Sequence, residues 1–336
     1  MLENLQRFKS IPMPQASHQN SPALLILELP GRKPICPSAS MLAGTDGWRT
    51  VSISSPEQAL KALQSTPNLR AFVCNDPNLT LFQAARNRGD DVVTVLVTEL
   101  PMQEYSRALE LNDVQLVDHI VANIDPEWTA SDLAITLQKI LRSDLFGIEK
   151  YLSPMSQIQS YTVKGSADRE PLNKAVIDWV DSCGVGKNIS RLAHGICEEL
   201  LMNAIYDAPV AGGRAHYEQM ERTTKRELEA DEWSTLRFGV DEKLFAISVT
   251  DPFGAFLREN WFSYLRKALR RNDSENLIDT KKGGAGLGLF KMLYSSHGVV
   301  CNVDPQKQTE VIILININLP VRDFIHMPRS IHYFKK

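Results

Sequence analysis

The chain has 336 residues, of which 43% are hydrophobic and 23% charged, and a formal charge of −3. This length exceeds one ordinary domain, and the balance is that of a folded globular chain rather than a disordered one. The net charge argues against a general nucleic-acid binder, which carries a basic face. No apolar run reaches the roughly 18 residues of a membrane span.

In chain order, residues 1–22 read as a polar, Pro-containing arm without an apolar signal core. Strands are expected at 24–29, 49–54, 71–75, 92–97 and 117–121, the fourth continuously apolar, as in a strand buried on both faces. A helix is expected over 56–65 with Ser55 as its cap, and another over 128–142, where positions 133, 137, 140 and 141 share one apolar face. Strands alternating with helices across 23–143 predict a doubly wound parallel sheet. Residues 144–165 have weak periodicity and read as a linker. Helices are then expected over 169–182 and 188–208. The densely charged stretch 209–234 reads as a surface excursion. Strands at 235–240 and 244–250, a helix near 259–271, another after Gly286, and strands at 299–303 and 309–319 complete an α/β second domain over 166–320. Residues 321–336 form a basic-aromatic tail, which either docks a partner or packs on its own domain. The five cysteines (Cys36, Cys74, Cys183, Cys197 and Cys301) contain no CxxC pair. They predict buried thiols in a reducing compartment, with the cytoplasm as the expected location.

Three segments carry chemistry. In the first, Glu199 and Asn203 are four apart, which on a helix puts a carboxylate and a carboxamide on one face. The amide oxygen can ligate Mg²⁺, and the carboxylate can orient or deprotonate an attacking group. The second ends an apolar strand with Asp251-Pro-Phe-Gly254. There a carboxylate can accept from an adenine amino group, and a glycine permits a tight turn. The third is Lys281-Lys282-Gly283-Gly284-Ala285-Gly286-Leu287-Gly288-Leu289. Glycines ahead of a helix expose N–H groups to a phosphate. Taken singly, each segment also reads as ordinary structure: a solvated helix face, a strand-ending turn and a glycine hinge.

In order and together, these segments resemble the N, G1 and G2 boxes of the GHKL family, the Bergerat ATPase fold of gyrase, heat-shock chaperone ATPases and sensor histidine kinases. The resemblance implies ATP and Mg²⁺ as cofactors and a C-terminal α/β sandwich of that type. It makes Glu199 the catalytic base, Asn203 the Mg²⁺ ligand and Asp251 the adenine reader. Gly254 lies against the base and Thr309 near the adenine, with Lys282, Gly284, Gly286, Leu287 and Gly288 in the phosphate lid. Within the family the chain looks most like the serine-kinase branch that includes anti-sigma factors. It departs from that branch at Asp207, where His or Lys is common.

The N-terminal domain resembles a response-regulator receiver with its chemistry removed. Glu28 stands alone where an acidic pair is expected, and Ala122 stands where receivers have Lys. Asp76 and Thr98 lie near the acceptor and Thr positions. An interaction-only receiver-like domain is therefore expected. His119 falls beside a strand and His194 within the N-box helix, so neither suits an autophosphorylated histidine. The expected function is an ATP-binding regulatory protein, a serine/threonine kinase of the partner-switching type acting on a protein partner. The alternative is an ATP-bound switch or scaffold with little turnover. A homodimer is left open.

Overall fold

The computed structural model describes residues 21–35, 47–89, 91–102, 104–105, 116–217, 224–270 and 287–336. The chain divides into two compact units, Met1–Asp144 with Met327–Ile331, and Leu145–His326 with His332–Lys336. Both are mixed α/β. No described helix is long and apolar enough to cross a membrane.

The first unit is built on five parallel strands: β1 (Ala23–Leu27), β2 (Arg49–Ile53), β3 (Leu69–Cys74), β4 (Val93–Thr98) and β5 (His119–Ala122), in the order β2-β1-β3-β4-β5. This is one of the common doubly wound orders. Every residue of β1 is buried, as a parallel strand covered on both faces requires. Helix α1 (Pro56–Ser65) starts where Ser55 accepts from Gln58 N and Pro56 presets the first turn. Helix α2 (Leu79–Arg86) was not expected from the sequence; Asn78 caps it, and Phe82 meets Phe72 of β3 edge-on. Helix α3 (Pro126–Arg142), capped by Asp125, buries Leu133 and Leu137 against alternate residues of the sheet, among them Leu24, Ile26, Val73 and Val95.

The second unit has an antiparallel sheet of β6 (Ile158–Val163), β7 (Ser234–Val240), β8 (Leu244–Asp251), β9 (Gly298–Asp304) and β10 (Gln308–Asn316), in the order β9-β10-β8-β7-β6. Helix α4 (Arg169–Ser182) packs on α5 (Lys187–Met202). Short α6 (Ala208–Ala211), α7 (Arg258–Arg270) and α8 (Leu287–Tyr294) follow.

Four sequence expectations are changed or narrowed. The linker at 144–165 contains β6, a half-exposed edge strand with little apolar alternation to reveal it. The helix expected to run to 208 stops at Met202 and passes through a π-helical turn, Asn203–Asp207, before α6. The charged stretch 209–234 is exposed over most of its described length, as expected, but it buries Arg226 and Glu232, which are 2% and 1% exposed. The C-terminal tail forms β11 (Ser330–Lys335), buried through Phe334. Ser330 Oγ takes hydrogen bonds from Ala122 N and Trp128 Nε1 within the first unit, and Tyr333 OH donates to Phe256 O within the second. The tail therefore packs on its own chain, one of the two arrangements expected for it. Cys74, Cys197 and Cys301 are buried as expected, but Cys183 is exposed. The arm at 1–20 and Cys36 lie outside the described residues.

Candidate functional site

Helix α5 forms because Ile189, Ala193, Ile196 and Leu200 recur at helical spacing and bury one stripe against the unit. That stripe fixes the rotation of the helix, and Glu199 and Asn203 face a cavity of about 480 Å³, within the usual range for small-molecule sites. Asp251, Gly288 and Thr309 line the same cavity. Elements far apart in sequence therefore bring five of the expected residues together. Tyr206, Tyr217, Phe256, Trp261 and Tyr264 give the cavity an aromatic wall.

Part of the lining is set by two neighbouring strands. Asp251 closes β8 and is the register partner of Thr309 in β10. Phe253 N donates to Asp251 Oδ1 at 3.0 Å. Burial pushes the Asp251 carboxyl up to about 6, against hydrogen bonds from the N–H groups of Phe253, Gly254 and Thr309 that pull it down. Thr309 is 3% exposed, and its hydroxyl has no hydrogen-bond partner among the described residues. A buried hydroxyl without a partner carries an uncompensated desolvation cost.

Another part of the lining is set by the approach of α8 to α5. A Cβ at Gly288 would stand 2.8 Å from Glu199 Oε2 and 4.0 Å from Asn203 Nδ2. A side chain at position 288 would push the Glu199 carboxylate aside. Glu199 is paired with Lys291, one turn further along α8; their side chains are 16% and 55% exposed. The adjacent carboxylate, Glu198, faces elsewhere, bound by Arg169 and Asn173. Burial pushes its pKa up, but the bonds from Arg169 and Asn173 outweigh that and hold it below the ordinary value.

Gly254 has a structural reason of its own. Its φ is +59°, and a Cβ would lie 2.1 Å from Asp304 O and 2.7 Å from Gln306 N and Lys307 N. It packs against the β9–β10 turn and does not line the cavity. Lys282, Gly284 and Gly286 lie outside the described residues, and Leu287 is described only as the first residue of α8. His119 is buried in β5, and His194 is exposed on α5.

The π-helical turn and Arg226 had no sequence signal as site features. A π turn re-registers the carbonyls that follow it, and such turns concentrate at functional sites. Here Arg226 donates to Ile205 O at 2.8 Å and Tyr206 O at 3.2 Å. Its guanidinium also lies 4.7 Å from the Tyr206 ring and 4.3 Å from the Tyr217 ring. A residue from the charged stretch thus braces the turn carrying Asn203 and Asp207.

In the first unit, the strand ends where a receiver would place its acceptor enclose only about 10 Å³. Lys33 Nζ donates to Asn123 O and Ile124 O at 2.8 and 3.0 Å, and Asp76 pairs with Arg32 at 2.8 Å. Asn75 Oδ1 accepts from Leu29 N at 2.8 Å.

No protein-family model and no curated protein matches the chain. Among solved structures it is similar to a fungal multi-domain GH3 β-N-acetylglucosaminidase with a GCN5-related glucosamine N-acetyltransferase region. The identity is 11% and the TM-score 0.25, over 81% of this chain and 31% of that one. The chain thus spans about a third of that protein's length, and a likeness this distant carries no argument about fold or function.

Proposed function

We propose that the second unit is an ATP site of the GHKL type and that the chain is a regulatory signalling protein. In this reading it is an ATP-dependent serine/threonine kinase acting on a protein partner, with the first unit as a receiver-like interaction domain. The observation that carries it is the pair Asp251 and Thr309, register partners that line one cavity, the hydroxyl without a partner. A carboxylate beside a free hydroxyl suits the amino group and ring nitrogen of a purine such as adenine. Asn203, Glu199 and Gly288 are then left for the phosphates, with α8 supplying N–H groups.

Mg²⁺ fits the donors present. It is held by few protein oxygens together with phosphates and water, and Asn203 offers one. The described residues contain no group of three or more His, Cys, Asp or Glu that would hold a metal by themselves. Bound with the nucleotide, Mg²⁺ would neutralise phosphate charge. Glu199 would accept the proton of an incoming serine or threonine hydroxyl, and Asp251 would hold the base.

The second reading is a switch in which ATP is held with little turnover. The Glu199–Lys291 pair favours it, since the carboxylate already has a cation on it. Radiolabel transfer from γ-labelled ATP to proteins of a lysate separates the two. The kinase reading expects a labelled protein and about a hundredfold loss in Glu199→Gln, the scale of a positioned base. No labelled protein, with equal hydrolysis by wild type and Glu199→Gln, would leave the switch.

A further inference from the structure

Glu199 is mostly enclosed, and a carboxylate in such a place needs a cation or donors to offset its lost hydration. Lys291 supplies the cation from α8, while its own side chain remains more than half exposed. An ion pair with one partner this open contributes little to stability and exchanges readily for a stronger anion. Gly288, three residues earlier on the same helix, lines the cavity beside the carboxylate. Asp251 and Thr309 line the same cavity. A nucleotide with its base against those two residues would put its outermost phosphate nearest Glu199 and Lys291.

Resting on the ATP reading of the site, we propose that Lys291 is the residue that distinguishes nucleoside triphosphates from diphosphates. In the free protein its ammonium neutralises Glu199. When a triphosphate enters, the ammonium transfers to the terminal phosphate, which carries more charge than the carboxylate and offers several acceptor oxygens. Glu199 is released by the same movement, so the carboxylate becomes an available acceptor only when a terminal phosphate is present. A diphosphate leaves the Glu199–Lys291 pair in place. No bond is made or broken in this exchange; one ion pair replaces another.

The test is calorimetry on the full chain with Mg-ATP and Mg-ADP, for wild type, Lys291→Met and Lys291→Arg. Wild type is expected to prefer ATP by about tenfold or more, the scale of one charge-assisted contact. Lys291→Met should bring the two affinities within about threefold, chiefly by weakening ATP, with ADP affinity little changed. Lys291→Arg should restore part of the preference. A purely structural lysine would move ATP and ADP together. An unaltered preference in Lys291→Met would overturn the proposal, as would a wild type that binds both nucleotides equally. A wild type that binds neither would count against the ATP reading itself.

Discussion

The two units treat the ends of their strands in opposite ways. In the first, Asn75 is 5% exposed and fully used: Leu29 N donates to it, and it donates to Leu29 O and Lys33 O. Lys33 is likewise spent on two carbonyls, and about 10 Å³ of space remains. In the second, Asp251 and Thr309 sit at comparable strand ends beside about 480 Å³, with a buried hydroxyl unmatched. Polar groups that satisfy one another build a scaffold. Polar groups kept buried and unmatched are a cost that a ligand can remove.

Mutating each set sharpens this contrast. Asn75→Ala should destabilise the first unit by about 1–3 kcal/mol, because it takes a partner from the part-buried Leu29 N–H and from the carbonyls of Leu29 and Lys33. Thr309→Val should leave the free second unit as stable as before or slightly more so, since the hydroxyl it removes has no partner, and yet weaken ATP binding. Hydrogen exchange, which reads each unit separately, is the measurement. Equal destabilisation in both units would break the comparison.

A second consequence follows from the raised Asp251 pKa. Below about 6 the carboxyl is neutral and no longer a strong acceptor, so affinity for the base should fall several-fold between pH 7.5 and pH 5. Adenosine is the appropriate probe, because it has no phosphate that titrates. The sign for stability is the reverse. The folded-state pKa lies above the ordinary value of 3.8, so the folded protein holds this proton more tightly than the unfolded chain. From this group alone, the free second unit gains stability as pH falls from above about 6 towards 3.8. Thermal denaturation of Asp251→Asn should accordingly show a higher melting temperature at pH 7.5 and no gain near pH 4. A gain that persists at low pH would mean the carboxyl is not the cause.

The smallest effect is expected in the first unit. Acetyl phosphate with Mg²⁺ should leave the intact mass unchanged, because Asp76 is paired with Arg32, Lys33 is committed to carbonyls, and Ala122 provides no cation. A stoichiometric adduct lost in Asp76→Asn would place phosphoryl chemistry there after all.

Much of this was legible in the sequence wherever a local rule decides the outcome. Ser55 with Pro56 marks the start of α1, and the apolar spacing in α5 fixes which side carries Glu199 and Asn203. The rest depends on partners distant in sequence. Arg226 sits in a run of charged residues and reads as solvated, and only the carbonyls of the π turn make it a buried brace. A π turn is a change of hydrogen-bond register with no residue signature. Lys291 gains its meaning from a carboxylate 92 residues away. Strand β6 is half exposed and lacks the alternation that announces a strand. The reason for Gly254, a close approach to the β9–β10 turn, could not be read from the DPFG string.

The central claim is that the cavity holding Asp251 and Thr309 is an adenine-nucleotide site. Isothermal titration of the full chain with Mg-ATP, wild type against Asp251→Asn, tests it most directly. The account predicts a single site per chain in the wild type and about a ten- to hundredfold loss of affinity in Asp251→Asn, the cost of one unmatched buried polar contact. Absence of binding by the wild type, or the same affinity in both proteins, would contradict it.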